Sequence, residues 1–208
     1  MRILLAAATS FELKTLMEQP PAGVRPVITG VGLVPATYHL SRAIATHSPD
    51  LVIQAGIAGC FDPARSLGEV IAVSEEVLAD VGVEEHGQFK DLGDLGLQDP
   101  NEPPFQGGRL PNPHLTRFAG LPTGRSISVS EITTRPDRIR HYKDRYAPLV
   151  ESMEGAALHY VCLKENIPFL QVRALSNYIG ERDKTRWKIA PALANLQQAI
   201  TQLLNEQR

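Results

Sequence analysis

Four side chains between residues 151 and 177 carry groups able to hold one small polar molecule. Glu151 and Glu154 are carboxylates, Met153 is a thioether and Asn177 is an amide. A carboxylate can grip sugar hydroxyls. An amide offers a donor and an acceptor on one plane, as a purine edge requires. Each residue also has a plainer reading. The helix dipole alone favours Glu154 near a helix start, Met153 fits a core, and Asn177 fits an Asx turn at a strand end. Arg173 lies inside an apolar strand pattern, where an unpaired charge is costly. It needs a carboxylate partner, and Glu151 or Glu154 could serve.

Glu12 is either a first-turn helix residue or a general base acting on water at the mouth of the first strand. Two glycine loops, Gly30-Val31-Gly32 and Gly56-Ile57-Ala58-Gly59, can bring backbone N–H groups close to a ligand. Leu33, Val34 and Pro35 follow the first loop and break the GxGxxG spacing of a dinucleotide fingerprint. No P-loop, HExxH or GxSxG signature occurs, and the six histidines are scattered, so no metal site is expected.

These groups need elements to position them. Residues 2–8 read as a strand covered on both faces, apolar throughout after Arg2. Ser10 is placed to cap a short helix with Glu12 in its first turn. Residues 25–29, 51–55, 70–73, 126–130 and 169–175 read as further strands. The spacing predicts helices starting at Pro35 and over 135–145, 155–165 and 188–205, the third opened by an acidic turn. Strands alternating with helices imply an α/β layered sheet. The exception is 82–114, which holds 6 of the 16 glycines and 5 of the 16 prolines. An irregular segment of that length is either a functional lid, a partner-facing loop or a tolerated surface excursion.

The 208 residues suit one large domain, and 43% hydrophobic content can fill its core. Net charge is −2, which gives no electrostatic footprint for nucleic acid or an anionic membrane. No apolar run approaches the roughly 20 residues of a membrane span. The apolar start is short and is followed by Glu12 and Lys14, so it reads as a strand and not as a signal peptide. Two cysteines, Cys60 and Cys162, in no metal-binding pattern fit a reducing cytoplasm.

Taken in order, several stretches resemble the nucleoside phosphorylase and nucleosidase superfamily. They are the first strand leading to Glu12, the Thr29-Gly30-Val31-Gly32 loop, DLVIQAGIAG at 50–59, Ser152-Met153-Glu154, and 173–177. The likeness is to the methylthioadenosine/S-adenosylhomocysteine nucleosidase branch. ESMEGAA at 151–157, RALSNYIGERDK at 173–184 and Trp187 are similar to the futalosine hydrolase family within it. The resemblance implies an α/β chain with a phosphorylase/hydrolase-like fold: a three-layer α/β/α sandwich around a mixed central sheet, with residues 1–208 as one domain. It implies an N-ribosyl hydrolase that splits futalosine into hypoxanthine and dehypoxanthine futalosine, a step of an alternative menaquinone pathway. No cofactor is implied. The substrate is a nucleoside, and a homodimer or higher homo-oligomer is expected because a neighbouring subunit closes the 5′ end in related enzymes.

Residue roles follow from the resemblance. Glu12 would activate water, Glu154 would hold the ribose hydroxyls, and Met153 with Ser152 would line the sugar site. Ser176 and Asn177 would orient the departing base, Arg173 would pair with a carboxylate, and Ile57 and Ile132 would wall the pocket. Trp187 would stack near the 5′ substituent, with Arg182, Lys184 or Arg186 meeting a carboxylate there. Adenine-specific relatives carry Asp at the position of Asn177. An amide can donate to the 6-oxo group of hypoxanthine, where a carboxylate would oppose two acceptors and leave a buried polar group unpaired at a cost of about 1–3 kcal/mol. The alternatives are a methylthioadenosine/S-adenosylhomocysteine nucleosidase, a 6-oxopurine nucleoside phosphorylase in which Arg25 and Arg65 bind phosphate, and a non-catalytic nucleoside-binding protein.

Overall fold

A computed structural model describes residues 1–117 and 120–207. Its strands and helices run in the order β1 (Ile3–Ala7), α1 (Lys14–Glu18), β2 (Val24–Ile28), α2 (Leu33–His47), β3 (Leu51–Cys60) and β4 (Val70–Leu78). Next come β5 (Gly82–Glu85), β6 (Gln88–Asp91), β7 (Leu110–Pro111), β8 (Thr123–Ser128), α3 (Pro136–Tyr146), β9 (Val150–Ser152), α4 (Gly155–Lys164), β10 (Phe169–Tyr178) and α5 (Ile189–Glu206).

The central sheet is mixed. Parallel pairs join β1 to β2 and β3, β3 to β10, and β8 to β4 and β9. Antiparallel pairs join β10 to β4 and β3 to β9. Strands β3, β10, β4, β8 and β9 therefore form a closed ring of pairings, and β1 and β2 extend from it.

Side-chain alternation explains the layers. Ile3, Leu5 and Ala7 of β1 join Leu170, Val172 and Ala174 of β10 in a cluster with Leu196, Ile200 and Leu203 of α5. Leu4 and Ala6 point the other way, into a cluster with Leu40 and Ile44 of α2 and Leu158 and Val161 of α4. The sheet is thus covered by α1 and α5 on one side and by α2 and α4 on the other. This is the expected α/β/α arrangement.

Several expectations about single elements are corrected. No side chain caps α1, which begins only at Lys14, so Glu12 sits in the turn before it and Ser10 is not its cap. Strands β3, β4 and β10 run on to Cys60, Leu78 and Tyr178, well past where their apolar runs end. Backbone pairing continues there although the side chains turn polar in β4 and β10 and are interrupted by glycine in β3. Glu151 and Ser152 lie in strand β9 and not in a turn, because β9 fills the gap between β3 and β8. Helix α2 starts at Leu33, ahead of Pro35. Segment 82–114 is less irregular than its composition implies. It contains the β5–β6 hairpin and strand β7 against β4. Arg135 and Arg138 of the α3 region pair with Glu84 of this hairpin.

Candidate active site

The site forms where β1, β3, β9 and β10 end beneath the start of α4, the usual location for a pocket in an open α/β sheet. Along one face of β10 the sequence passes from Phe169 to Gln171 to Arg173. Along the facing stretch of β3 it passes from Val52 to Gln54 to Gly56. The face that is core at one end becomes polar at the other.

Arg173 anchors the deep end and is 1% exposed. Its Nη2 donates to Gln54 Oε1 at 2.8 Å and lies 3.9 Å from Glu154 Oε2. Gln54 in turn donates to the Glu154 carbonyl at 3.5 Å. Of the two candidate partners, Arg173 therefore takes Glu154. Glu151 points elsewhere and accepts from Thr133 N–H at 3.0 Å.

Glu154 precedes α4, and its Oε1 accepts from Gly32 N–H at 2.9 Å. Gly32 has a φ of 92°, which a side chain would strain. The first glycine loop thus positions a carboxylate. Glu12 reaches the same place from β1. Its Oε2 accepts from Thr9 N–H and its Oε1 from Ile57 N–H, both at 3.1 Å. Gly56 lies beneath them, and a Cβ there would collide with Arg173 Nη1 and Glu12 Oε1. The Gly56–Gly59 stretch is part of strand β3 and not a loop as expected, and Gly56 is bare so that these two groups can approach.

Burial raises the Glu12 pKa. The Arg173 guanidinium and the two N–H donors oppose that shift, and nearby Glu154 adds to it. A carboxylate with a raised pKa and a free lone pair is suited to take a proton from water near neutral pH.

At the other end Ser176 Oγ donates to Asn177 Oδ1 at 2.9 Å and to Ala58 O at 3.2 Å. Asn177 lies within β10 and not in a turn beyond it, and its Nδ2 donates to Tyr178 O at 3.1 Å. One cleft of about 270 Å³ is lined by Glu12, Ile57, Ile132, Ser152, Met153, Glu154, Ser176, Asn177 and Trp187. Arg173 stands behind this lining and acts through Glu154 and Gln54. Ile132 is 44% exposed at the rim. Trp187 Nε1 donates to Glu181 O at 3.1 Å, and Arg182 stacks 5.4 Å from its ring centre. Of the three basic candidates only Arg182 lines the cleft, while Arg186 is tied to Glu181 at 3.0 Å. Arg65 pairs with Glu69, and Arg25 lines a hollow with Arg2 and His47 at the opposite end of the strands. Neither reaches the cleft, so the candidate phosphate ligands are not assembled there.

The profile of the phosphorylase superfamily matches residues 10–205. The chain belongs to the phosphorylase superfamily. Among curated members it is 31% identical to futalosine hydrolase of Thermus thermophilus over 86% of this chain and 80% of that one. It is 30% identical to futalosine hydrolase of Streptomyces coelicolor over 98% and 95%. The superfamily fold is also found in the adenine-bound methylthioadenosine/S-adenosylhomocysteine nucleosidase of Colwellia psychrerythraea. That structure superposes with a TM-score of 0.79 at 21% identity, covering 99% of this chain and 95% of that one.

Sequence reasoning did not pick out the layer beneath the site. Glu76 is fully buried and accepts from Gln171 Nε2 at 2.8 Å and Ser128 Oγ at 3.0 Å. Ser128 Oγ also accepts from Ala156 N–H at 2.8 Å, fixing the start of α4. Gly155 admits this network, since a Cβ there would collide with Glu76 Oε1. The available signal was a Glu and two Gln inside apolar strand runs. Among the described residues no group of three His, Cys, Asp or Glu is arranged to hold a metal.

Proposed function

We infer that this superfamily member is a futalosine hydrolase, releasing hypoxanthine by attack of water on the anomeric carbon of the ribose. The observation that carries the reading is the convergence of Glu12, Glu154 and Asn177 on one cleft. Relatives that are 30–31% identical and carry the futalosine hydrolase name support it.

Glu12 takes a proton from water as the water oxygen bonds to the anomeric carbon and the bond to the purine nitrogen breaks. Glu154 grips the ribose hydroxyls and stabilises positive charge on the sugar, while Arg173 and Gly32 N–H hold its carboxylate in place. Met153 and Ser152 line the sugar site, and Ile57 and Ile132 flank the base. Asn177, oriented by Ser176, donates to the 6-oxo group and steadies the departing base. An amide is a poor proton donor, so the base departs with the bonding electron pair as an anion steadied by Asn177 and takes its proton from solvent water. Trp187 stacks on the aromatic ring of futalosine's 5′ substituent, with Arg182 beside it.

Residues 1–208 act as one nucleosidase-type domain in this reading. Phe11 and Val31 line the cleft and are 64% and 55% exposed, beside Val34 and Tyr38 at 82% and 59%. An apolar rim of this kind favours a homodimer or higher homo-oligomer in which a second copy closes the 5′ end. The free, buried cysteines fit a cytoplasmic enzyme. Among the described residues no helix is long and apolar enough to cross a membrane.

The test is incubation with futalosine, inosine and methylthioadenosine, with and without phosphate, followed by chromatography of the free base. Phosphate-independent release of hypoxanthine from futalosine is expected. A strict phosphate requirement would leave a phosphorylase, and adenine release alone would leave a methylthioadenosine nucleosidase.

A further inference from the structure

Helix α4 starts at the sugar end of the cleft, and nothing local caps it. Met153 and Glu154, which line the cleft, lead directly into its first residue, Gly155. Glu154 stands at the N-cap position, where a side-chain oxygen ordinarily accepts from the first turn. Its carboxylate is turned away, to Gly32 N–H and Arg173, and no acidic residue lies in the first turn. The first N–H groups go instead to serines on neighbouring strands. Gly155 N–H donates to Ser152 Oγ at 3.4 Å and Ala156 N–H to Ser128 Oγ at 2.8 Å.

The second serine leads to Glu76, which is fully buried. Ser128 Oγ accepts from the helix and donates its own proton to Glu76 Oε2 at 3.0 Å. A hydroxyl can do both at once. Glu76 Oε1 accepts from Gln171 Nε2 at 2.8 Å. Both oxygens of Glu76 thus accept, which is the pattern of an ionised carboxylate. Burial pushes its pKa up, while Ser126, Gln171, Arg173 and Ser128 hold it down. Bare Gly155 lets this carboxylate lie against the first turn of α4.

The charges at this end of the cleft give the relay a purpose. The start of a helix carries about half a positive charge. Here it adjoins the sugar site, where positive charge develops as the bond to the base breaks. Glu12 gives up its charge as it takes the proton from water. Glu154 and Arg173 offset one another. The helix end would then oppose the cationic sugar. A carboxylate joined to that end by a single hydroxyl reverses the sign.

We propose that Glu76 is a positioning residue for the sugar step: through Ser128 it caps α4, neutralises the positive helix end and leaves the Glu154 carboxylate free to hold the cationic sugar. The assignment rests on the nucleosidase reading of the cleft. Glu76 touches no substrate. Its influence grows with the charge on the sugar, so it favours the transition state over the neutral nucleoside.

The test compares wild type with Glu76→Gln, which keeps the side chain's shape and an acceptor for Ser128 but removes the charge. On futalosine kcat should fall about 5- to 30-fold with KM changed by less than about twofold, the effect expected of one charge at a partly buried helix end. The deciding readout is binding of two unreactive ribose mimics. One carries a dihydroxypyrrolidine ring, cationic at neutral pH, and the other the neutral tetrahydrofuran ring of the same shape. The variant should lose about 5- to 30-fold in affinity for the cation and keep its affinity for the neutral ring. A merely structural Glu76 would weaken both alike, so an unaltered ratio overturns the proposal. Should the variant not fold, Ser128→Ala cuts the relay at the hydroxyl. There the ratio should fall about threefold or more, and an unaltered ratio again overturns the proposal. Wild type is assayed on futalosine first. No release of hypoxanthine would defeat the functional reading itself, whereas release with an unaltered ratio in the variant defeats only the role of Glu76.

Discussion

The two faces of strand β10 do opposite work. Leu170, Val172 and Ala174 turn towards α5 and meet apolar neighbours. Phe169, Gln171 and Arg173 turn the other way, and beyond Phe169 that face carries an amide and a charge, both fully or nearly fully buried. The first face contributes stability through area removed from water. The second gives stability up, because a buried ion pair is often no better than apolar residues of like volume. What it gains is a fixed guanidinium that sets two carboxylates within reach of one cleft. A strand can serve both ends because its side chains alternate while its backbone pairing stays unbroken.

The largest break in this comparison is on the polar face. Glu12→Gln should lower kcat/KM on the order of 10²–10⁴-fold if the proposed general base is removed. Stability should fall by no more than about 1–3 kcal/mol, since Gln keeps one acceptor and removes a buried charge but sets its NH₂ against the second N–H donor. Burial lifts the folded-state pKa of Glu12 above its unfolded value. Ionised Glu12 therefore costs stability above the folded pKa, and that cost vanishes as pH falls below the unfolded pKa. The wild-type acid limb of kcat/KM should accordingly lie above the ordinary glutamate value of about 4.3. Thermal unfolding and a pH–rate profile check both points. An acid limb at the ordinary value would show that Glu12 is not the titrating base.

On the apolar face the signs should invert. Leu196→Ala in α5 opens a cavity against β10 and should cost about 2–5 kcal/mol of stability. Its kcat/KM, measured where the variant is still folded, should match wild type. Denaturant unfolding and steady-state kinetics on one preparation decide it, and a large kinetic loss would show that the two faces are coupled.

Asn177→Asp is the finest probe. It keeps the size and the acceptor for Ser176 Oγ, gives up the donor to Tyr178 O, and changes the pattern offered to the base. Preference should move towards 6-amino purines by about 10- to 100-fold. Competition between inosine and adenosine reads it out, and an unchanged ratio would remove Asn177 from base recognition.

Much of the site was legible along the chain. Glu12 follows an apolar run, Glu154 opens a helix pattern, and Asn177 ends a buried strand. These are local signals, and each residue does line the cleft. The supporting residues were less visible. Gln54, Glu76 and Gln171 look like interruptions of apolar runs, and nothing nearby in sequence says that Glu76 will meet Gln171 and Ser128. Thr133 was missed because its contribution is a backbone N–H, a group that every residue but proline carries.

By itself the sequence determined the alternating elements, the glycine loop at 30–32 and the polar residues at the strand ends, whereas Gly56–Gly59, read as a second loop, lies within β3. Periodicity and backbone freedom are local properties, so neighbours in the chain suffice to express them. Only the tertiary structure decided that Arg173 takes Glu154 and leaves Glu151 to Thr133. It also decided that β9 closes beside β3, so that Asn177 and Glu151 both pair with Gly59. Those pairings join residues far apart in sequence, and they are set by strand register and packing, which no local pattern encodes.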